Sequence, residues 1–474
     1  MIRELPAPGQ INRYLFTCAQ NATKLHETFW KSLNTLMRHY QAQLHVSRIT
    51  YMKHGLGAAG DKAKYTKPEP GNTELGDDIW WDAQLDPYLS DERLQIAPGL
   101  VWCGEMNILP TAERPLSGLD SYTGRPSGIF PHPKLAMESI ATLPGEGTKF
   151  NYTTGAVTQR NYVQRKAGLK ADFHHCYGAL LVEVDSEGSW WCRQINADSE
   201  GVIHDLRLRV DGDQVTEVDV AAIVWGDIHV AEGDPAVYQT AWAPDGMLDT
   251  LHPAIQFWHD ILHFRGRSHH EIKDPHRMFL RSIQHVTSVE DELKQMVAFT
   301  QRASRPWCQA KIVDSNHHHH LARWLREVEG LKDPTNAILW CELNAEVLKH
   351  IRRYKEEPNC LQVALRHYDL PAEVLILPID KSFTLLGIEF SLHGDRGPNG
   401  ARGSARNLSK LGVRAIIGHS HSARIEDGVY QTGTCGTLTP DWTSGPNSWS
   451  HSHVIVYPNG KRAVITMWKG KWRA

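Results

Sequence analysis

Hydrophobic and polar positions recur with clear periods along the first fifty residues. Tyr14–Gln20 reads as a strand, and Leu44–Tyr51 alternates as a second one. Between them Phe29, Leu33, Leu36 and Tyr40 repeat at helical spacing within a stretch from about Lys24 to Gln41. The pattern predicts a β-α-β opening with parallel strands and a right-handed crossover. Gly55–Asp78, rich in Gly, Pro, Lys and Asp, predicts a loop. Leu100–Leu109 predicts a third strand, and residues 110–175 read as long and irregular. Tyr177–Val184 and Trp190–Ile195, joined by Asp185-Ser-Glu-Gly-Ser, predict a hairpin. An α/β accessory domain for substrate contacts or oligomerisation is therefore expected over residues 1–215, with a second domain over 216–474.

Beyond that boundary the pattern changes. Val218–Trp225 is a nearly continuous apolar run, as expected of a strand buried on both faces, and it ends in Gly226-Asp227-Ile228-His229. Open α/β sheets place ligands at such carboxyl ends, although Asp-x-His also serves to cap a following segment. His259-Asp260 closes a segment containing Ile255 and Trp258 and leads to Arg265, Arg267, His269 and His270. A carboxylate beside two arginines reads equally as a surface salt bridge or as a metal ligand with a phosphate clamp. Ala310–Asp314 predicts a strand opening into Ser315-Asn316-His317-His318-His319-His320 and a helix carrying Leu321, Trp324, Leu325 and Val328. Four adjacent histidines also make a metal-binding tract in their own right. In the Asn-His pair, an amide oxygen can ligate a hard metal, and an imidazole that holds no metal can act as general acid. Asp380–Ser391 predicts a strand ending in His393-Gly394-Asp395. Ala415–Ile417 then turns at Gly418 into His419-Ser420-His421. Alternate side chains on extended backbone point opposite ways, so these two imidazoles reach different ions more easily than they share one.

Composition narrows the function classes. With 474 residues and 41% apolar content, the chain can form roughly two or three domains with sizeable cores. No window resembles a membrane span, and Met1–Gly9 has no apolar h-region, so a cytoplasmic protein is expected. Eight cysteines without a Cys-x-x-Cys pair argue against a zinc ribbon or a disulfide framework. The net charge of −3, from 51 basic and 54 acidic residues, provides no global positive field, so any nucleic-acid contact must be local. One candidate is Thr153–Lys170, where Arg160, Arg165, Lys166 and Lys170 lie beside Tyr152 and Tyr162. This run reads as a solvated face or as a grip on an anionic chain. The other is Gly394–Arg414, whose Arg396, Arg402, Arg406 and Arg414 can follow a phosphodiester backbone or pair with acids of a neighbouring subunit. The 27 histidines change the picture most, because imidazole is the commonest metal ligand.

Taken in order, Asp227-x-His229, Asp260, Asn316-His317, His393 and Gly418-His419-x-His421 resemble the motif series of calcineurin-like dinuclear metallophosphoesterases over roughly residues 218–474. The resemblance implies a β-sandwich flanked by helices. It also implies one metal held by Asp227, His229 and His421, and a second held by Asn316, His393 and His419. Asp260 would bridge the two, His317 would be the general acid, and Arg265 or Arg267 would offset equatorial phosphate charge. Two departures stand out. His259 occupies the place of a usual Gly, and Ser315 and His318 replace the Gly and the acid flanking Asn-His, so His317 needs a different orienting partner. The stretch from His393 to Asn407, with Tyr430-Gln-Thr-Gly-Thr, Gly445-Pro-Asn-Ser-Trp and Tyr457-Pro-Asn-Gly-Lys-Arg, is similar to a phage-encoded branch of this superfamily. That branch includes the manganese-dependent early DNase of T5-like phages. The resemblance implies a nuclease acting on DNA in the host cytoplasm with two divalent ions, manganese first and iron or zinc admitted; homo-oligomeric assembly is left open. Two other readings remain: a phosphomonoesterase on a protein or nucleotide, and a DNA or host-protein binder with a vestigial site.

Overall fold

A computed structural model describes residues 4–51, 80–440 and 443–474. Strand β1 (Asn12–Gln20), helix α1 (Glu27–Tyr40) and strand β2 (Gln43–Ile49) form the expected β-α-β unit, with β1 and β2 parallel. Alternation along β1 divides its side chains between two cores. Leu15 and Ala19 pack with Phe29, Leu33 and Leu36 of α1, whereas Tyr14 and Phe16 enter a second core. The loop expected at Gly55–Asp78 lies outside the described residues.

Residues 93–175 are more regular than their pattern suggests. They contain β3 (Arg93–Ala97), β4 (Leu100–Cys103), β5 (Ser127–Phe130), β6 (Met137–Ile140), β7 (Lys149–Thr153) and helix α2 (Lys166–His174). The strand expected over Leu100–Leu109 is thus confined to β4, and strands of four or five residues carry too few alternations to be read from sequence. The hairpin is present as β8 (Gly178–Val184) and β9 (Trp190–Asn196), and β8 also pairs with β1. A small meander of β10 (Ile203–Asp205), β11 (Leu208–Asp211) and β12 (Gln214–Glu217) follows.

The second half runs β13 (Ala222–Val224), α3 (Pro235–Trp242), α4 (Met247–Leu251), β14 (Ile255–His259), α5 (Pro275–Ile283), α6 (Val289–Ala303), β15 (Gln309–Val313), α7 (Asn316–Glu327), α8 (Ala337–Tyr354), α9 (Cys360–His367) and β16 (Leu375–Leu377). Where one strand was expected over Asp380–Ser391, the chain makes a tight pair, β17 (Thr384–Leu385) and β18 (Ile388–Glu389). After α10 (Ala405–Ser409) come β19 (Arg414–Ile417), β20 (Arg424–Glu426), β21 (Val429–Gln431), β22 (His451–Val456) and β23 (Arg462–Met467). One six-stranded sheet has the order β16-β15-β14-β13-β22-β23, its first four strands parallel. A ten-stranded sheet has the order β17-β18-β19-β21-β20-β6-β7-β5-β4-β3. Its strands come from both sides of residue 215 and join where β20 pairs with β6, so the two expected domains share a sheet.

The chain is a mixed α/β protein, and its central layer is the six-stranded sheet. Ile223, Trp225, Trp258, Ile312 and Ile455 point to a core shared with the helices. Val224, Phe257, Val313 and Val454 point to a core shared with the ten-stranded sheet, where Phe257 stacks on Phe390 with ring centroids 4.4 Å apart. On the helical side, the indoles of Trp225, Trp242 and Trp258 all donate to Gln256 Oε1, at 3.0, 3.3 and 3.2 Å. Gln256 Nε2 in turn donates to the Ala303 carbonyl at 2.9 Å. Among the described residues no helix is long and apolar enough to cross a membrane.

One buried amide therefore satisfies three buried indoles. Gln256→Leu keeps the volume but strands those donors, and each unpaired buried donor costs about 1–3 kcal/mol. The variant is expected to lose at least that much unfolding free energy in urea titration, with the slope unchanged.

Candidate metal centre

Because β13, β14 and β15 are parallel, their carboxyl ends emerge at one edge, carrying Asp227, Asp260 and Asn316. Backbone pairing continues past the strand ends. Ile228, His229 and Val230 donate to the carbonyls of His259, Asp260 and Ile261 at 2.9, 2.8 and 3.1 Å. These bonds fix the first two ligand loops against each other. The ten-stranded sheet supplies His419 and His421 just beyond β19, and Gly418 N donates to the His393 carbonyl at 2.7 Å. A Cβ at Gly418 would collide with Asp227 Oδ1, so only glycine lets the two sheets' loops meet there. His229, Asp260, His419 and His421 have φ of 46°, 44°, 75° and 59°. Left-handed backbone at non-glycine residues is strained, and such residues cluster at functional sites.

All seven expected ligands come together. His421 Nε2 lies 3.2 Å from Asp227 Oδ2 and 3.0 Å from His229 Nε2. Asp260 Oδ2 lies 3.1 Å from His393 Nε2 and 3.8 Å from His229 Nε2, between one member of each expected set. His419 Nδ1 is 3.2 Å from Asn316 Oδ1, and its backbone N–H donates to Asp227 Oδ2 at 2.8 Å. Asp227 Oδ1, Asp260 Oδ1 and His421 Nδ1 are buried without a hydrogen-bond partner. Leaving such atoms unpaired is costly, and a cation accepting mixed oxygen and nitrogen donors would satisfy them. The residues present therefore fit divalent metal ions, and Asp227, His229 and His421 form one close group able to hold one.

Over 481 residues the chain is 33% identical to "Protein A1" of Escherichia phage T5, an alignment covering 98% of this chain and 83% of that relative. The chain belongs to the Protein A1 family. A phage homologue agrees with the phage origin expected from the sequence. No family model matches the chain, and no solved structure gives a significant match.

This member of the Protein A1 family also brings to the centre two histidines that the motif reading did not assign to it. His259 and His263 join the close groups Asp227–His259–His393 and His229–His263–His317. His259 Nδ1 is 3.2 Å from His393 Nδ1, and His263 Nδ1 is 3.1 Å from His229 Nδ1. Nothing in their spacing marks them. Loop 260–264 turns back through left-handed residues at both ends, and that turn creates the contact. The missing orienting partner of His317 is a backbone group: His317 Nδ1 donates to the His263 carbonyl at 3.0 Å, and its ring stacks on His263 at 5.2 Å. This fixes the tautomer, with the proton on Nδ1. His318 faces Asp314 instead, at 3.4 Å.

The arginines divide. Arg267 is occupied, its guanidinium donating to both Asp333 oxygens at 2.5 and 2.7 Å. Arg265 pairs with Glu232 and lines a cavity of about 300 Å³ together with His317. Arg396 Nη2 is 2.9 Å from His319 Nδ1. Arg402 and Arg406 line a cavity of about 550 Å³ with Gly418 and His419. Arg414 is held away from that cavity on the carbonyls of Leu386 and Gly387. In the earlier basic run Tyr152 and Tyr162 are buried, so that run offers no aromatic face for stacking bases.

Electrostatics couple these groups. Burial opposes ionisation of Asp260, but His393 and His317 outweigh it and hold the carboxyl well below its usual range. At Asp227 burial is likewise outweighed, by the His421 hydrogen bond and by His393. Burial works against protonated His393 too, yet Asp260 raises it to about 9. Burial keeps His229 and His263 well below the ordinary imidazole value, in the neutral form that binds metal.

Two outcomes follow. Metal analysis after manganese loading is expected to give two ions per chain, and Asp260→Ala should abolish that occupancy. In addition, metal-free His393 keeps its proton up to about pH 9 and must release it to ligate. Affinity should therefore rise with pH and level off near that value, with proton release visible by calorimetry in buffers of different ionisation enthalpy. An affinity independent of pH below 9 would contradict this assignment.

Proposed function

We propose that this chain is a metal-dependent deoxyribonuclease of the metallophosphoesterase type, hydrolysing phosphodiester bonds of DNA in the host cytoplasm. One observation carries the reading: seven ligand side chains from five separate loops converge, leaving buried carboxylate oxygens without protein partners. The two-sheet core with its ligand loops at the ends of parallel strands agrees with that type, and the phage T5 homologue agrees with a phage enzyme.

Asp227, His229 and His421 would hold one ion, Asn316, His393 and His419 the other, with Asp260 shared. The mixed ligand set favours manganese, iron or zinc over magnesium or calcium, and manganese is the first choice. Two such ions, when bound, supply a clamp for the phosphate oxygens and lower the pKa of a shared water towards about 7. The protein's own part is proton delivery and positioning. With Nδ1–H tied to the His263 carbonyl, His317 as imidazolium would pass its second proton, on Nε2, to the departing sugar oxygen and be left as the neutral Nδ1–H tautomer. His263 keeps that ring in place from below. Arg402 on the Gly-rich loop and Arg406 on α10, both lining the cavity beside His419, receive neighbouring phosphates of the strand. A cavity of about 550 Å³ lined by Arg402, Arg406 and Arg424 suits a polyanion better than a small monoester.

Manganese-loaded protein is expected to degrade plasmid DNA, and His317→Ala should slow cleavage about 10²–10⁴-fold while both ions stay bound. Loss of metal in that variant would refute the role given to His317. No DNA loss alongside rapid hydrolysis of a phosphate monoester would favour a phosphomonoesterase, and fewer than two ions with neither activity would favour a binder with a vestigial site. Arg402→Ala with Arg406→Ala should weaken DNA binding and lower the salt dependence by roughly two phosphate contacts.

A further inference from the structure

We propose that His269, His270 and His320 form a third cation site, separate from the dinuclear centre, that takes one imidazole-preferring transition-metal ion such as zinc. Each residue offers a ring nitrogen, and these atoms all lie within 4.8 Å of one another. None of the three belongs to the groups around Asp227 and His229. The ring centroids are 3.8 Å apart for His269 and His270, 4.5 Å for His269 and His320, and 5.6 Å for His270 and His320.

The polar atoms point to a ligand. His320 is 7% exposed, and its Nδ1 has no hydrogen-bond partner; His269 Nδ1 is also buried without one. Unpaired buried imidazole nitrogens are expensive, and two of them facing a third imidazole make an unfinished donor set. Burial, followed by the neighbouring imidazoles of His317, His269 and His270, holds His320 down to about 3, so it is present in the neutral ligand form. Glu271, which lines the same cavity, is engaged by Arg281 at 3.0 and 3.1 Å. An all-nitrogen set selects zinc, copper or nickel over magnesium, calcium or manganese. The cavity of about 300 Å³ lined by His270 and His320 leaves room for a fourth ligand such as water.

The location gives the site a consequence. His269 and His270 sit on a turn closed by Glu271 and Ile272 N–H donating to the Ser268 carbonyl at 3.0 and 2.9 Å. His320 lies on α7, one turn beyond His317, with the two rings 5.0 Å apart. A bound ion would staple loop 268–272 to the helix that carries His317.

The test uses full-length protein stripped of metal, equilibrated with zinc alone and desalted, with bound zinc measured by mass spectrometry and cobalt substituted for its visible spectrum. The native chain is expected to hold three zinc ions. His269→Ala with His270→Ala, at partly exposed positions chosen so that folding survives, should hold two, as should His320→Gln if circular dichroism shows it folded. Asp227→Ala with His393→Ala should hold one. A native chain that binds no more zinc than the His269→Ala/His270→Ala protein would overturn the proposal, whatever number of ions the dinuclear centre holds. None of these readouts depends on DNA cleavage, so the third site and the nuclease reading stand or fall separately.

Discussion

A sheet covered by apolar side chains on both faces can release unpaired polar groups only at its ends, because an unsatisfied backbone amide elsewhere would be stranded in hydrocarbon. The six-stranded sheet is under this constraint, with the tryptophan-rich helical core on one side and the ten-stranded sheet on the other. Its parallel strands β13, β14 and β15 therefore deliver Asp227, Asp260 and Asn316 to the same edge. The second sheet must approach closely to contribute His393, His419 and His421, and the absence of a side chain at Gly418 makes that approach sterically allowed. The centre thus follows from double-sided burial plus one small residue.

Assembling buried acids and imidazoles without solvent is a liability that the protein handles by mutual neutralisation. Asp260 and His393 each favour the charged form of the other against the penalty of burial. Burial keeps His229, His263 and His259 below the ordinary imidazole value, and contacts pass outward from His229 to His263 and from His393 to His259. Left-handed backbone at four candidate ligand positions adds strain of order 1–3 kcal/mol each, and at His229 and Asp260 the continued pairing of loops 228–230 and 259–261 holds it in place. The donor set is arranged by the protein alone, so a cation bound there would not meet the cost of ordering it.

The departures from the usual motif series acquire a physical meaning in this geometry. Where an acid would orient the candidate general acid, the structure uses the His263 carbonyl and ring, both carried by the loop after Asp260. Where a glycine would precede Asp260, His259 backs His393 through its Nδ1. The histidine run of α7 is divided among three tasks: His317 at the centre, His318 and His319 on Asp314, and His320 towards His269 and His270. Homology to Protein A1 extends over nearly the whole chain, including the amino-terminal half that supplies five strands of the ten-stranded sheet.

Local order was legible in the sequence wherever a period was long enough to repeat. The β-α-β opening, the β8–β9 hairpin and the buried β13, β14 and β15 follow from spacing, and the seven candidate ligands that meet at the centre were named from the motif resemblance. Apart from β4, the short strands between residues 93 and 153, and their union with strands after residue 384, were not legible, since pairing partners hundreds of residues apart leave no mark on local periodicity. The same limit hid His259 and His263, engaged Arg267 with Asp333, and kept the convergence of His269, His270 and His320 out of view. Sequence determined which side chains were available at each loop, because type and period are local. Only the tertiary structure decided which of them meet, because contact is set by how two sheets pack and where the chain is allowed to turn back.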